Sequence, residues 1–124
     1  AALLAGFYKY VDTEKPSLII LEDYNKGVLT PNIITSVIDY CNVKGIPTAV
    51  DPKQKNFLAY KNCTLFKPNL HELRDGLGLD SSDLSALALP ATVKKFKESQ
   101  RFEGLFVTLS ERGVYMDFRG ALKQ

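Results

Sequence analysis

The sequence is poor in the residues that most often build transition-metal sites and disulfide frameworks. It contains one histidine, two cysteines and no tryptophan. His71 has no second histidine with which to share a metal or complete a triad, and Cys41 and Cys63 lie in apolar segments without metal-ligand spacing. The sequence therefore argues against a metal site made of histidines and cysteines. Both cysteines are predicted to be buried free thiols in a reducing compartment, which indicates a cytoplasmic protein.

Long runs of apolar or basic residues are also absent. No segment approaches 18 consecutive apolar residues, which excludes a transmembrane helix. The net charge of +2, without a long basic run, gives no electrostatic footprint for nucleic-acid binding but is compatible with a small anionic ligand. Residues 1–15 hold a short apolar run with no basic segment before it, and we interpret them as part of a helix, not as a signal peptide.

What remains is the composition of a soluble globular protein. Hydrophobic residues make up 45% of the chain and charged residues 24%. A length of 124 residues corresponds to one domain or less, and it is sufficient to bury a core.

The clearest pattern is a strand, a helix and a second strand. Residues 17–23 (SLIILED) form an apolar run that ends in two acids, which predicts a strand buried on both faces. Thr30 and Pro31 are the predicted N-cap and first residue of a helix that Gly45 stops. The apolar face of that helix comprises Ile33, Ile34, Val37, Ile38 and Cys41. Residues 46–51 (IPTAVD) are the next strand, so the unit predicts parallel pairing through a right-handed crossover.

The same alternation continues to the end of the chain. The further predictions are a helical turn at 56–60, strands at 63–67 and 104–109, a short helix from Asn69 to near Gly76 or Gly78, a surface connection at 80–89 and a helix at 90–100 that turns Val93, Phe96 and Leu89 inward. Residues 114–118 are expected to form a hairpin with strand 104–109 through the turn SERG. These elements predict an α/β fold with a doubly wound (Rossmann-like), mostly parallel sheet and a C-terminal β-hairpin.

Polar residues stand where each predicted parallel strand ends. They are Asp23 to Gly27 after the first strand, Asp51 to Lys53 after the second, Lys67, Pro68, Asn69 and Glu72 after the third, and Thr108, Ser110 and Gly113 after the fourth. Open parallel sheets bind ligands beyond the carboxyl ends of their strands. Four such ends on a common edge indicate a site for a phosphate, a sugar hydroxyl or a metal-bound water.

Each of these segments also has a purely structural interpretation. Asn69 followed by Glu72 matches a capping box, and taken alone this structural interpretation is favoured over a functional one by about two to one. Asp51 before proline is typical of a strand end, and Ser110 to Gly113 is an adequate hairpin turn with a positive φ at Gly113. The remaining polar positions are also compatible with an ordinary protein surface. Lys26-Gly27 can be a solvated loop, and Lys53 and Lys55 can be surface charges. His71 can be a helix-face residue, and it is given no role.

Taken together and in order, the segments resemble successive motifs of the ribokinase-type (PfkB) carbohydrate kinases. The matching segments are D-Y-N-K-G at 23–27, V-D-P-K at 50–53, K-P-N-L-H-E at 67–72 and V-T-L-S-E-R-G at 107–113. The first two most resemble the heptose 7-phosphate kinase branch, which acts in ADP-heptose synthesis for lipopolysaccharide. The resemblance covers essentially the whole chain and implies Mg²⁺-assisted transfer of the γ-phosphate of ATP to a hydroxyl of a sugar phosphate.

The resemblance also implies roles for individual residues. Asn69 and Glu72 match the N-x-x-E motif, which organises Mg²⁺ through water and the phosphates. Thr108, Ser110 and Gly113 match the edge of the nucleotide site. For the remaining site residues, the implied position of Asp51 and Lys53 is beside the transferred phosphoryl group, with Lys53 as a phosphate contact, and that of Asp23 and Lys26 is the sugar-phosphate side.

The sequence departs from the family pattern at its two ends. It contains no G-A-G-D segment, from which the family takes its catalytic aspartate, and no amino-terminal sugar-binding glycines. Residues 1–124 are therefore interpreted as a single partial domain, the central core of a ribokinase-like kinase. On this interpretation the chain is inactive alone and homo-oligomerises through surfaces that missing parts normally cover. Two alternatives are a kinase for another sugar, of the ribokinase or fructokinase type, and a non-catalytic α/β module that binds a nucleotide or a partner.

Overall fold

The computed structural model of the chain describes residues 2–22, 29–118 and 121–123, with Ala2 and residues 121–123 described by their backbone. Helices and strands alternate through most of this part. The helices are α1 (Ala2–Glu14), α2 (Pro31–Lys44), α3 (Leu70–Leu77) and α4 (Leu89–Gln100), and the strands are β1 (Ile19–Glu22), β2 (Thr48–Asp51), β3 (Leu65–Phe66), β4 (Gly104–Thr108), β5 (Val114–Phe118) and β6 (Ala121–Lys123).

The strands form one sheet in the order β1-β2-β3-β4-β5-β6. Strands β1 to β4 are parallel, whereas β4, β5 and β6 pair antiparallel. The predicted α/β class, mostly parallel sheet and C-terminal hairpin are confirmed. Because β1 to β4 follow one another without a reversal of order, right-handed crossovers bring the connecting helices to the same face of the sheet.

Local signals determine the helix ends as the sequence predicts. In α2 the Thr30 hydroxyl accepts a hydrogen bond from the N–H of Ile33 (3.3 Å), Pro31 is the first residue, and Gly45 ends the helix with φ 73°. Its predicted apolar face is the buried one, with Ile33 partly covered. The helix predicted within residues 1–15 is α1.

The strands are shorter than predicted at several ends. Residues 17–18 precede β1, and the segments predicted at 46–51 and 63–67 give β2 and a two-residue β3. Thr48 and Thr64 explain the late start of β3, because the backbone N–H of each donates to the hydroxyl of the other (3.0 and 3.1 Å). These side-chain hydrogen bonds replace backbone ladder bonds at that point. The turn predicted at 56–60 is a 3-10 turn at Gln54–Asn56, and the connection 80–89 contains another at Ser81–Leu84.

The sheet has one buried face and one open face. Register places Leu21, Val50, Phe66 and Leu105 side by side on the buried face, each 8% exposed or less. The open face carries Ile20, Ala49, Leu65, Phe106, Met116 and Phe118, all partly or largely exposed. The prediction that the first strand is buried on both faces is wrong, because β1 is the edge strand and the Ile20 side chain points to the open face, where it is 60% exposed.

Aromatic rings fill the core between the sheet and the helices. Phe66 of β3 stacks on Phe102 (ring centroids 4.6 Å apart) and meets Phe57 and Phe96 edge to face. Each such side chain contributes about 1.5–3 kcal/mol by leaving water. Cys41 and Cys63 are buried free thiols as predicted, and burial raises the pKa of both thiols. None of the helices in the described part is long and apolar enough to cross a bilayer.

Candidate functional site

The carboxyl ends of the parallel strands meet at one edge of the sheet. Asp51 is the last residue of β2, Lys67 follows β3, and Thr108 is the last residue of β4. The expected common edge is therefore present for these three strands. Asp23 and Lys26, predicted at the end of the first strand, lie outside the described residues.

Two of the predicted motifs are joined directly. The backbone N–H of Thr108 donates to the carbonyl oxygen of Pro68 at 3.1 Å, and Asn69 forms a parallel bridge with Thr108. The K-P-N-L-H-E segment thus extends the β3–β4 pairing beyond the end of β3. As a result the start of α3 and the turn after β4 lie beside each other.

Asn69 and Glu72 form the capping box that the sequence predicts. The N–H of Glu72 donates to Asn69 Oδ1 (2.7 Å), and the N–H of Asn69 donates to Glu72 Oε1 (2.9 Å). This arrangement satisfies two backbone donors at the start of α3 and fixes both side chains at the sheet edge. The structural interpretation is confirmed. The metal-binding role of Glu72 remains a prediction, and it is compatible with the cap because only one oxygen of the carboxylate, Oε1, takes part in the cap.

Lys53 reaches the other oxygen of Glu72. Its Nζ lies 3.5 Å from Glu72 Oε2, with the two side chains 38% and 16% exposed. The loop after β2 and the helix after β3 are thereby linked by charge. The structure brings the predicted phosphate contact and the predicted metal residue together, and Asp51 stands two residues before Lys53 at the same edge.

The turn between β4 and β5 is built from unusual backbone conformations. Ser110 has φ 58°, a left-handed conformation that costs a non-glycine residue about 1 kcal/mol or more. Gly113 has φ 93° and ψ −136°, which only glycine adopts readily. The turn is closed by the N–H of Leu109 donating to the Gly113 carbonyl (2.7 Å) and that of Gly113 donating to the Ser110 carbonyl (3.1 Å). The predicted positive φ at Gly113 is confirmed.

A cavity of about 940 Å³ opens between this turn and α3. Its lining includes the site residues Asn69, Thr108, Ser110 and Gly113, the apolar Leu70, Leu84, Leu109 and Val114, and the polar His71, Arg74, Ser81, Glu111 and Arg112. The volume and the mixture of apolar and polar groups are those of a small-molecule site. Glu72 and Lys53 are not part of this lining. The Lys53–Glu72 pair is nevertheless next to the cavity, because Asn69 lines the cavity and forms the helix cap with Glu72.

Charge in the cavity is mixed, with two arginines and one acid among the described residues that line it. The Glu111 backbone N–H and the Ser110 hydroxyl hold the pKa of the Glu111 carboxyl below its usual value, and the charge of Arg112 adds to the effect. Glu111 is therefore ionised at neutral pH and offsets one of the two guanidinium groups of Arg74 and Arg112.

Arg74 and Arg112 were not among the residues that the sequence singled out for binding. Arg112 lies in the predicted hairpin turn and in the V-T-L-S-E-R-G segment, but neither assigned it a role. Arg74 had a usable signal, since His71 stands three positions before Arg74 and four before Asp75, and both spacings bring side chains together on a helix surface. The sequence does not predict that this face of α3 lies next to the β4–β5 turn.

Comparisons with known proteins agree with the motif order. No protein-family model matches the sequence. The chain is 36% identical over 118 residues to the bifunctional protein HldE of Syntrophotalea carbinolica, with 95% of this chain and 24% of that protein covered. It is 38% identical over 96 residues to the bifunctional protein HldE of Campylobacter jejuni, with 77% of this chain and 20% of that protein covered.

Solved structures give the fold. Phosphofructokinase-2 from Escherichia coli in complex with potassium superposes with a TM-score of 0.74 at 17% identity, over 86% of this chain and 35% of that one. Ribokinase from Arabidopsis thaliana, complexed with ribose and ATP, superposes with a TM-score of 0.69 at 16% identity, over 87% of this chain and 34% of that one.

The chain is similar in sequence to one part of the HldE proteins, and it has the fold of the ribokinase-like (PfkB) carbohydrate kinases. It spans about a quarter or less of the length of the HldE relatives described above. The segments that carry the family resemblance therefore fall within one part of a much longer relative.

The family resemblance implies Mg²⁺, and the residues at the carboxyl ends of the strands fit an ion that is bound through water. Among the residues described, no group of three or more histidine, cysteine, aspartate or glutamate side chains could hold a metal ion. Mg²⁺ is commonly bound through one or two carboxylates together with waters and substrate phosphates. The single carboxylate of Glu72, with Oε1 engaged in the cap and Oε2 toward Lys53, fits a water-mediated ion that arrives with a nucleotide.

Proposed function

We propose that this chain is the ATP- and Mg²⁺-binding core of a carbohydrate kinase that transfers the γ-phosphate of ATP to a hydroxyl of a sugar phosphate. The observation that carries the proposal is the junction of two family motifs at one cavity. Asn69 of the N-x-x-E motif and Thr108 to Gly113 of the T-x-x-x-x-G segment line the same space of about 940 Å³. A kinase needs the phosphate-organising motif and the nucleotide edge side by side in this way.

The residues at the edge then have separate tasks. Thr108, Ser110 and Gly113 bind the nucleotide beside Asn69, and Glu72 with Asn69 holds Mg²⁺ through water. When bound, Mg²⁺ neutralises charge on the phosphates. Lys53 contacts the transferred phosphoryl group, where an ammonium offsets developing negative charge. Asp51, Asp23 and Lys26 are assigned to the sugar phosphate.

Heptose 7-phosphate is the acceptor that we propose, and the two amino-terminal motifs support it. They are D-Y-N-K-G and V-D-P-K at 23–27 and 50–53, and the curated relatives described above are HldE proteins. The runner-up is another sugar, since the structural neighbours include a ribokinase with ribose and a phosphofructokinase-2 with fructose 6-phosphate. Phosphorylation assays on a longer protein that contains this chain, with heptose 7-phosphate, ribose and fructose 6-phosphate in parallel, would separate these acceptors. We also propose a cytoplasmic location, which the two buried free thiols support.

The chain is expected to bind nucleotide without transferring phosphate. Its 124 residues contain no G-A-G-D segment, to which the family resemblance assigns the catalytic base. The same observation favours the second candidate, a non-catalytic α/β module that binds a nucleotide or a partner. The two candidates differ in what happens when the chain is part of a longer protein, because only the kinase gains turnover there.

Nuclear magnetic resonance titration of this chain with Mg-ATP tests the proposal directly. Saturable shifts should concentrate on the amides of Asn69 and residues 108–113, while those of α1 stay in place. A titration without saturable shifts would contradict the proposal. Shifts centred on the basic surface around Lys15 and Lys44, which lines a separate cavity of about 490 Å³, would contradict it as well.

A homo-oligomer is the assembly that we propose for the chain, and the open face of the sheet supports it. Ile20, Phe106 and Met116 on that face are apolar and not buried, and a two-fold pairing would bury the same apolar patch on both copies. Among the structural neighbours, one phosphofructokinase-2 structure is described as a tetrameric inhibited form.

Light scattering at increasing protein concentration tests the assembly. The wild type should shift to a larger mass, and Ile20→Lys should prevent the shift. Val43→Lys is the control, since Val43 is 82% exposed on α2 and away from the sheet. A wild type that stays monomeric at high concentration would exclude the assembly.

A further inference from the structure

Helix α3 carries three linked side chains that the proposed function leaves without a role, and two of them, His71 and Arg74, line the cavity. Arg74 Nη2 lies 2.7 Å from His71 Nδ1, and Arg74 Nε donates to Asp75 Oδ1 at 3.2 Å. His71 Nε2 lies 3.0 Å from the second oxygen of Asp75, Oδ2. The three groups form a closed ring on the surface of one helix turn.

The chemistry of the ring determines which atom donates in each contact. A guanidinium nitrogen can only donate, so His71 Nδ1 must accept from Arg74. The proton of a neutral imidazole then lies on Nε2, which is 3.0 Å from Asp75 Oδ2. His71 and Asp75 together hold two edges of the Arg74 guanidinium, and among the described residues its Nη1 has no hydrogen-bond partner.

Arg74 is therefore an oriented donor on the wall of a cavity. It lines the space with Arg112, which the β4–β5 turn supplies, and Glu111 is the only acid among the described residues that line it. A guanidinium whose orientation is already fixed loses less conformational entropy when it binds a ligand than a free arginine does. Its planar set of donors matches the oxygens of a phosphate group.

We propose that Arg74 contacts the phosphate groups of the nucleotide in this cavity, that His71 and Asp75 are its positioning residues, and that Arg112 supplies the second positive charge. This inference rests on the proposed function, since it takes the ligand to be a nucleotide. It adds a phosphate contact on the α3 side of the cavity to the residues that the family motifs supply.

Calorimetric titration of the 124-residue chain with Mg-ATP and with inorganic tripolyphosphate tests the phosphate contact. Arg74→Gln should weaken both ligands on the order of tenfold or more, as expected for a lost hydrogen bond between charged groups. Arg74→Lys, which keeps the charge but loses the planar fork, should fall between. Lys95→Gln is the control, because it removes one positive charge from an exposed position on α4 outside the cavity and should leave both affinities unchanged.

The positioning roles have their own readout. His71→Ala should weaken Mg-ATP several-fold, and His71→Gln should recover most of the loss, because a side-chain amide oxygen can again accept from Arg74. A merely structural role of His71 would change the melting temperature without this pattern in affinity. Failure of His71→Gln to recover binding would overturn the positioning role.

The outcomes separate this inference from the proposed function. If the wild type binds Mg-ATP and Arg74→Gln binds it as tightly as Lys95→Gln does, the phosphate contact is wrong and the nucleotide site stands. If the wild type binds neither probe, both proposals fail. A loss of affinity in Arg74→Gln with an unchanged melting temperature supports the contact.

Discussion

Lys53 and Glu72 face each other across the edge of the sheet, with Nζ and Oε2 3.5 Å apart, while the other oxygen of the same carboxylate caps α3. The Glu72 side chain thus has two tasks, the cap of α3 and the ion pair with Lys53. The cap stabilises the helix and needs only an acceptor. The pair with Lys53, and the proposed role toward Mg²⁺, need the charge.

Substitution of Glu72 by glutamine and by alanine should separate the two tasks. Glu72→Gln keeps an acceptor for the Asn69 N–H, so it should lower the free energy of unfolding by less than about 1 kcal/mol. Glu72→Ala also loses the cap and should cost about 1–2 kcal/mol. Both variants should weaken ATP binding about tenfold or more in the presence of Mg²⁺ and remove the difference between titrations with Mg²⁺ and with a chelator. Urea unfolding and calorimetry measure these quantities. Wild-type ATP affinity in both variants would reduce Glu72 to a helix cap.

Much of the fold follows from signals that are local in the sequence. Thr30-Pro31 and Asn69 with Glu72 predict helix starts because the capping groups lie within three residues of the amides that they satisfy. Strand existence follows from apolar runs in the same way. The strand ends are less well predicted, because contacts such as the exchange between Thr48 and Thr64 depend on a partner sixteen positions away.

Burial and the composition of the cavity could not be predicted from the same signals. Ile20 stands in a continuous apolar run, but its exposure depends on what packs on that face of the sheet. The motif residues of the cavity were identified by resemblance, whereas Arg74 lines it because α3 lies beside the turn, next to the Asn69–Thr108 bridge. Lys97 and Asp117 are twenty positions apart, and no pattern in the sequence predicts that they pair.

The Lys97–Asp117 pair should be a major determinant of stability. Lys97 Nζ on α4 lies 3.2 Å from Asp117 Oδ1 on β5, with the side chains 13% and 2% exposed, although this oxygen lacks a well-aligned hydrogen bond. Lys97→Met leaves a buried carboxylate unpaired and should cost about 3–5 kcal/mol. Asp117→Asn should cost less, since the long lysine stem can carry its ammonium toward water.

A double substitution provides the control for this pair. Lys97→Met combined with Asp117→Leu removes both charges and should recover most of the stability lost by Lys97→Met. Urea unfolding at neutral pH measures all three variants. A double variant no more stable than Lys97→Met would show that removing the second charge gives no compensation, and the expected interaction between the two charges would be wrong.

The contact between α1 and α2 should depend on pH in both directions. The hydroxyl of Tyr40 donates to Asp12 Oδ1, and Lys44 Nζ lies 3.4 Å from the same oxygen. The hydrogen bond to Asp12 raises the pKa of Tyr40 to about 12, and the hydrogen bond from Tyr40 lowers the pKa of the Asp12 carboxyl. Because the pKa of Tyr40 is raised, its contribution to stability is present below about pH 10 and is lost as the pH rises through about 12. The depressed pKa of Asp12 has the opposite sense, so its contribution is lost in acid as the pH falls through the folded-state value.

Nuclear magnetic resonance of ring-labelled tyrosine measures the alkaline limb. Tyr40 should titrate near 12 in the wild type and at a clearly lower pH in Asp12→Ala, where the hydrogen bond is lost while burial still raises the pKa of Tyr40. Circular dichroism at each pH verifies that the chain is still folded. A wild-type Tyr40 that titrates with the same pKa as in Asp12→Ala would mean that the hydrogen bond does not form.

Gly113 should be intolerant of any side chain, for a reason that lies in its backbone. An added Cβ would meet no heavy atom within 4 Å, but φ 93° with ψ −136° is a conformation that other residues adopt only at a cost of about 1–3 kcal/mol. Gly113→Ala should therefore destabilise the chain by that amount. It should also weaken Mg-ATP, because the hydrogen bonds of Gly113 with Leu109 and Ser110 shape the turn that lines the cavity.

Gly6→Ala is the matched control for this substitution, with the opposite expected sign. Gly6 lies in α1, and a Cβ there also meets nothing within 4 Å. Alanine in a helix is favoured over glycine by about 0.5–1 kcal/mol, so this variant should be more stable and should bind Mg-ATP as the wild type does. Urea unfolding and calorimetry compare the two variants directly. If Gly113→Ala were as stable as the wild type, the turn would tolerate another backbone conformation, and the requirement for glycine at the edge of the cavity would be wrong.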